Sequence, residues 1–412
     1  MTTMILQTWD LIANHAFHAF FFFFIFVWVI WLFRVWVACR HRRCENDWDG
    51  AVSIVVPTRG EEPEFTERCI RSLLEQTRPA NEIIFVIDKS DLGNGLPAVF
   101  DKYGIRYLVD EEGNKRDAFA LGARATADNE VIMMLAGDCL YPPNFIKEAL
   151  RPFADPEVGG VALSQRIHGA DRIFARRLAE WMYDIRFKIA YPMMGWKGVI
   201  VCLTGETFVA RRRLVMQSLD AFLTERFMGR RCIPGDDRFL TSEILKAGYK
   251  CVYQPIDPPV LVDSPNTFKG LVKQQLRWMR TSQKYTFQTL TWCWGKSFLL
   301  PFHLAGVYLT LYAFVGITIW GIVNSILGID PVFIVKDISI FGFPWIILWG
   351  LLGMYTSHAI RQTIHLKRYP RDWQLFPIYI AIMIFIFIPL TLYALFTMHK
   401  TGWLVRGNPI IA

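Results

Sequence analysis

Four apolar runs set the plan of this chain before any motif is weighed. The first, AFHAFFFFFIFVWVIWLF, covers Ala16 to Phe33, and the others cover about Phe298 to Ile322, Ile340 to Ala359 and Leu375 to Thr397. At 1.5 Å per residue each approaches or exceeds the ~30 Å depth of a bilayer's hydrocarbon core. From about residue 50 to 290 no comparable run occurs. A chain with 53% hydrophobic residues is too apolar for an ordinary soluble enzyme, and with 20% charged residues it is too polar for membrane spans alone. Together these facts predict a water-exposed domain carried between membrane segments.

The charge pattern orients this plan. No small-residue cleavage site follows the first run, so it reads as an anchor, extended to Ala38 if Arg34 snorkels. RHRR, Arg40 to Arg43, comes next. Positive charge stays cytoplasmic, which places the start of the chain outside and the domain inside. The basic segment RQTIHLKRYPRDW between the last two runs is cytoplasmic by the same rule. Parity then leaves the end of the chain outside, although Lys400 and Arg406 pull the other way. Much of the net charge of +8 flanks the apolar runs, which assigns it to the lipid surface and not to nucleic acid. The eight cysteines form no CxxC pair and no cluster; this argues against a disulfide framework or zinc site and fits reduced thiols.

Within the central stretch, AVSIVVP, EIIFVID and VIMMLAGD are short runs of the kind buried in parallel sheets. EFTERCIRSLLEQT places Phe65, Cys69, Ile70, Leu73 and Leu74 at helical spacing, and KRDAFALGARAT precedes the third run. Strand-helix-strand repetition predicts an open α/β sheet, which collects ligand groups at the carboxyl ends of its strands. Asp88 and Asp138 stand at two such ends. Asp88 suits a turn or helix cap as well as a ligand contact. Asp138, soon followed by Pro142 and Pro143, suits a carboxylate holding a divalent cation against a phosphate-bearing donor, since hard cations take oxygen ligands.

Lys115 and Arg116 in NKRDA open a helix, where the dipole and two cations suit a phosphate site, though a solvated basic patch fits the same residues. PGDDRFLTSEILKAGY puts Asp236 and Asp237 at the start of an amphipathic helix. One of them serves as cap, and the other is free to act as a general base. In KQQLRWMR, Gln274, Arg277 and Trp278 follow i, i+3, i+4 spacing and share one helical face. A Trp ring stacks on a sugar, and the planar fork of Arg meets phosphate. The same stretch equally suits an interfacial anchor, with Lys273 and Arg280 as headgroup contacts.

In order along the chain, VSIVVPTRGE, VID, NKRDA, AGDCLYP, CLTGETFVARR, PGDDRFLT and QQLRW resemble the processive family-2 glycosyltransferases. The likeness is to the branch of hyaluronan synthases, chitin synthases and nodulation chitooligosaccharide synthases, over about residues 50 to 290. It implies a GT-A type, Rossmann-like α/β domain with N- and C-terminal transmembrane helices. The expected division is an anchor over 1–45, a cytoplasmic transferase domain over 46–263, interfacial helices over 264–297 and a bundle of about three spans over 298–412. The implied activity is inverting polymerisation from a UDP-sugar donor onto a growing glycan, in a cell membrane, with Mg²⁺ or Mn²⁺.

Carried over by residue, the resemblance gives Thr58, Glu61, Asp88, Lys115 and Arg277 to the nucleotide donor and Asp138 to the metal. Asp237 becomes the general base, and Gln274, Trp278 and Cys202 hold the acceptor. Tyr308, Tyr312 and Asn324 either line a polymer path or serve as packing and interface anchors. Two departures stand out: Ala136 occupies the first position of the family's Asp-x-Asp, and Arg59 replaces an aromatic that stacks on uracil. Two other functions also fit an α/β domain with spans. Transfer of one sugar to a lipid carrier needs no Gln274-Arg277-Trp278 face, and a non-catalytic nucleotide-sugar-binding subunit needs no Asp237.

Overall fold

The computed structural model describes residues 23–326, 339–340, 343–344, 355–357 and 359–400. The start of the first apolar run, most of the expected span 340–359, the Asn324 side chain and the tail with Arg406 lie outside the described residues. The chain divides into two compact units, one reaching to Val37 and resuming over Pro301–Ile388, the other covering Ala38–Leu300 and the residues from Pro389 onward.

The second unit is built on seven strands: β1 Val52–Thr58, β2 Glu82–Asp88, β3 Arg106–Asp110, β4 Val131–Leu135, β5 Val158–Leu163, β6 Thr207–Arg211 and β7 Lys250–Gln254. Their order across the sheet is β7-β5-β6-β4-β1-β2-β3. β1 pairs in parallel with β2 and β4, and β2 with β3. Every residue of β4 is buried, and of β1 only Pro57 is partly open. Both faces of such strands are covered, which is why they read as continuous apolar runs and not as alternating ones.

The expectation of a parallel sheet needs one correction. β6 runs antiparallel to both of its neighbours, β4 and β5, so the sheet is mixed. An apolar run buried on both faces carries no record of its direction, so TFVAR gave no warning.

Helix α1, Phe23–Ala38, comes before the sheet, and further helices fill the connections between strands. α2, Pro63–Leu74, starts on a proline that suits the first turn and buries Cys69, Ile70 and Leu73; Leu74 falls on its open side. α3, Lys115–Ala125, is capped by Asn114, whose Oδ1 accepts from the Arg116 and Asp117 amides at 3.1 and 3.2 Å. α4, Phe174–Ile185, runs into a π turn over Arg186–Ala190. α5, Asp236–Lys246, and α6, Phe268–Leu290, carry the two motifs of the second half. α6 is long enough to pack on the chain's last described segment as well. Gln283 donates to the Thr391 carbonyl at 2.8 Å, and Arg280 donates to Thr397 Oγ1 at 3.0 Å. Arg280 is therefore tied within the protein and is not the bare headgroup contact expected of it.

Most residues of the apolar helices belong to the first unit, while Leu299, Leu300 and the residues from Pro389 belong to the second. Phe23–Ala38 precedes the sheet, Leu299–Ile326 follows α6, and the segment Phe376–Phe396 passes through a π turn at Met383–Phe387. Among the described residues the last two are long and apolar enough to cross a membrane, and Phe23–Ala38 is shorter. Within the first unit Phe33 meets Phe302 edge-on at 4.9 Å. Arg34 donates to the His303 carbonyl at 3.4 Å. Tyr308 and Tyr312 stack with centroids 6.1 Å apart.

Candidate active site

A cavity of about 730 Å³ opens where three parallel strands end. Thr58, Asp88 and Asp110 close β1, β2 and β3 and all three line it. Asp138, three residues past the end of β4, lines it as well. Glu61, Lys115 and Glu206 line it too, as do the α6 residues Lys273, Gln274, Arg277 and Trp278. Eight of the ten expected site residues therefore face one space, although they come from segments up to 220 positions apart, Thr58 to Trp278.

One end of the cavity is organised around Asp88. Its Oδ1 accepts from the Ser90 amide at 2.8 Å and the Ser90 hydroxyl at 2.5 Å, so the turn role read from the sequence is real. Its Oδ2 is buried without a hydrogen-bond partner and lies 3.3 Å from Arg59 Nε. Arg59 also donates to the Gly113 carbonyl. The guanidinium that replaces an expected aromatic is thus fixed beside Asp88.

At the centre, Lys115 stands between the cavity and α5. Its Nζ is 3.2 Å from Asp236 Oδ2 and 3.2 Å from the Gly205 carbonyl. Burial alone would lower the lysine's pKa, but Asp236, Glu206 and Asp237 outweigh it and raise it. A Cβ on Gly205 would fall 2.9 Å from Lys115 Nζ, so the ammonium would have to shift to admit a side chain there. Burial likewise lowers the pKa of Arg277, against the pull of Asp236, Glu206 and Asp237. Two cations and several carboxylates therefore meet in one partly dry space.

Asp237 and Cys202 are not part of the cavity lining but stand together behind Lys115. Cys202 Sγ donates to Asp237 Oδ2 at 3.2 Å, and Asp237 Oδ1 accepts from the Arg238 amide at 2.7 Å. Burial first, and Asp237 second, push the Cys202 thiol pKa up, so it stays protonated as a donor at neutral pH. Trp278 completes this side, with the Arg186 guanidinium 5.4 Å from its ring centroid.

Three readings change. Neither Asp caps α5: the cap position is Gly235, at φ +89°, with no side-chain bond. Asp236 instead faces Lys115. Arg116 does not join Lys115 in a phosphate site. It points the other way and is buried, giving hydrogen bonds to the Phe222 carbonyl at 2.7 Å, Glu225 Oε2 at 2.7 Å and the Tyr285 hydroxyl at 3.2 Å. Lys273 lines the cavity and is no mere headgroup contact.

Glu206 was missed altogether. It precedes the antiparallel β6, whose Thr207 pairs with Leu135 of β4, so its amino end lies beside the carboxyl end of β4. Burial raises the Glu206 pKa; Lys115 opposes this, while Asp237 and Asp138 add to it. CLTGETFVARR carried the residue in plain sight, but only the strand direction gives it a place.

Comparison with known proteins adds the following. A sequence profile described as "Glycosyltransferase like family 2" matches residues 50–281. An N-acetylglucosaminyltransferase of Rhizobium meliloti is 24% identical over 364 residues, 86% of this chain and 81% of that protein. A hyaluronan synthase of Streptococcus pyogenes is 24% identical over 378 residues, 89% of this chain and 85% of that protein. Among solved structures, a mannosyltransferase from Pyrobaculum calidifontis, in complex with GDP-Man and Mn²⁺, superposes with a TM-score of 0.56 at 15% identity. The match covers 94% of this chain and 98% of that one, and it speaks to the GT-A fold alone.

Proposed function

The chain belongs to glycosyltransferase family 2, and we propose that it is a membrane-embedded inverting enzyme that polymerises sugar from a UDP-sugar into a β-linked glycan and exports it. One observation carries this reading. The Gln274-Arg277-Trp278 face of α6 lines the same cavity as the strand-end carboxylates and Lys115, so donor and acceptor groups share one space. A carrier glycosylated once would need no such face.

The donor half takes its nucleoside between Thr58, Glu61 and Asp88, with Arg59 in reach of a carbonyl of the base. Lys115 and Arg277 face the diphosphate, Arg277 through its planar fork. Among the described residues no group of three or more His, Cys, Asp or Glu side chains gathers to hold a metal. Asp138 alone nevertheless fits Mg²⁺ or Mn²⁺. Such a hard cation accepts one or two protein carboxylates and fills its remaining positions with phosphate oxygens and water. Bound there, it would neutralise charge growing on the leaving diphosphate.

The acceptor lies between Trp278 and Asp237. Asp237 removes the proton from the acceptor hydroxyl as its oxygen bonds to the anomeric carbon. The bond from that carbon to the diphosphate oxygen breaks on the opposite face, and UDP departs with the electron pair. The configuration inverts, the proton remains on Asp237, and the Cys202 thiol holds the carboxylate in place. Such general-base help is worth ~10²–10⁴-fold.

In this reading a cytoplasmic domain over 46–263 lies between an anchor over 1–45 and a bundle over 298–412, with interfacial helices over 264–297; the apolar helices among the described residues support it. The relatives' names, N-acetylglucosaminyltransferase and hyaluronan synthase, support a glycan product. The test is to incubate the purified protein in nanodiscs with single ¹⁴C-labelled UDP-sugars, alone and in pairs, and to size the product. A long, glycosidase-sensitive chain is expected. A single labelled sugar on lipid would sink the polymer reading, and no incorporation from any UDP-sugar would sink the donor assignment.

A further inference from the structure

Asp236 takes no part in the chemistry above, yet it is placed where it must affect the donor. Its Oδ2 is buried and makes an ion contact of 3.2 Å with Lys115 Nζ without hydrogen-bond alignment. Lys115 in turn lines the cavity. Arg116, the next cation along, is engaged by Glu225 and Tyr285 and cannot substitute for it. Asp236 is not needed to cap α5, because Gly235 holds that position. The carboxylate also lies in the field of Arg116 and Arg277, but its close ion contact, at 3.2 Å, is with the lysine that would meet a phosphate.

We propose that Asp236 is a placeholder anion: it occupies Lys115 while the cavity is empty, and the donor's diphosphate displaces it. The proposal rests on reading the cavity as a nucleoside diphosphate site. Lys115 is only 20% exposed, and a cation so enclosed is costly without a counter-charge. Asp236 supplies one before substrate arrives. The incoming diphosphate carries more charge and takes Lys115 over, but it must break the existing contact and then sits near a displaced carboxylate. Asp236 therefore weakens the hold on nucleotide. When UDP is the product, Asp236 returns to Lys115 and aids release. An enzyme that exchanges nucleotide at every sugar addition gains from this, because product release commonly limits turnover.

The experiment is calorimetric binding of UDP and of uridine to the full-length protein in nanodiscs. It compares wild type, Asp236→Asn, Asp236→Ser, Lys115→Met and the Lys115→Met/Asp236→Asn pair. Asp128→Asn serves as control, since it removes one exposed carboxylate that pairs with Arg212 outside the cavity. Asp236→Asn and Asp236→Ser are expected to bind UDP about tenfold tighter, from the lost competition and repulsion. Uridine affinity stays within about twofold, because the nucleoside does not reach Lys115. Most of the gain disappears in the Lys115→Met background, and the control binds as wild type does.

Two substitutions at Asp236 keep the test intact where one of them fails to fold. UDP affinity that is unchanged or weaker in a folded Asp236 variant overturns the proposal, and so does an equal gain for uridine. Wild-type protein that binds no UDP at all overturns the reading of the cavity, and the placeholder with it. Wild type that binds UDP without a gain in the variants overturns the placeholder alone.

Discussion

Asp237 and Trp278 carry the sharpest consequences at the level of single residues. Asp237→Asn keeps one oxygen, which can still accept from the Arg238 amide, but it loses the second acceptor, which faces the Cys202 thiol, and cannot take a proton. Turnover should fall by ~10²–10⁴-fold, with UDP affinity by calorimetry near that of wild type. Trp278, proposed above as the stacking surface for the acceptor, has the Arg186 guanidinium 5.4 Å from its ring centroid. Trp278→Phe should keep most activity, while Trp278→Ala should raise the acceptor KM at least tenfold, about 1.4 kcal/mol, and shorten the product on a sizing gel, leaving donor KM alone. Both residues were legible in the sequence because each lies in a motif whose order along the chain is distinctive. Glu206 was not, since its neighbours in sequence say nothing about the strand beside it.

Among the elements, α6 joins most of the molecule's functions. One face supplies Gln274, Arg277 and Trp278; further along, Thr281 and Tyr285 press on Gly235, the residue before the Asp pair. A Cβ on Gly235 would fall 2.7 Å from a Tyr285 ring carbon, and φ there is +89°. Gly235→Ala should destabilise by roughly 1–3 kcal/mol from the backbone conformation alone, read as a lower melting temperature, with loss of transfer as Asp237 shifts.

A second tie is ionic. Glu225 accepts from Arg116 at 2.7 Å, Lys284 at 2.9 Å and the Tyr285 hydroxyl at 2.7 Å, linking α3 to α6. Burial pushes the Glu225 carboxyl up, but Lys284 and Arg116 outweigh it and hold its pKa below the usual value. Its stabilisation is thus complete above the unfolded pKa of ~4.3 and is lost as pH falls through the lower folded value. Glu225→Gln should cost about 3–5 kcal/mol at pH 7, since it leaves two buried cations short of a partner. Denaturant titrations at pH 7 and pH 3.5 should bring variant and wild type closer together at the lower pH. Equal differences at both would refute the linkage.

For the whole molecule, the decisive expectation is topology. If the basic run Arg40–Arg43 is cytoplasmic, Cys39, the exposed thiol next to it, should react with a membrane-impermeant maleimide in inside-out vesicles. It should stay unlabelled in right-side-out ones, as read by peptide mass mapping. The reverse pattern would invert the proposed orientation and take export of the polymer with it. The transferase unit was readable as a block because membrane runs and catalytic motifs do not overlap in composition. Its extent was less so. The contact pattern places α6 and the residues from Pro389 onward with the sheet, because α6 makes long-range hydrogen bonds to Thr391 and Thr397 that no local pattern announces.

The sequence by itself determined three of the parallel strands, the carboxylates near their ends, the shared face of Gln274, Arg277 and Trp278, and the family. The first three follow from local periodicity, and the family from the order of short motifs along the chain. Only the tertiary structure decided the rest. It turned β6 antiparallel and so delivered Glu206, sent Arg116 inward to Glu225 while Lys115 faced the cavity, and set Asp236 against Lys115 and not over a helix end. Two adjacent residues on a helix point about 100° apart. Which of them meets substrate is settled by what packs against each, and that partner lies more than a hundred positions away, Lys115 to Asp236 and Arg116 to Glu225.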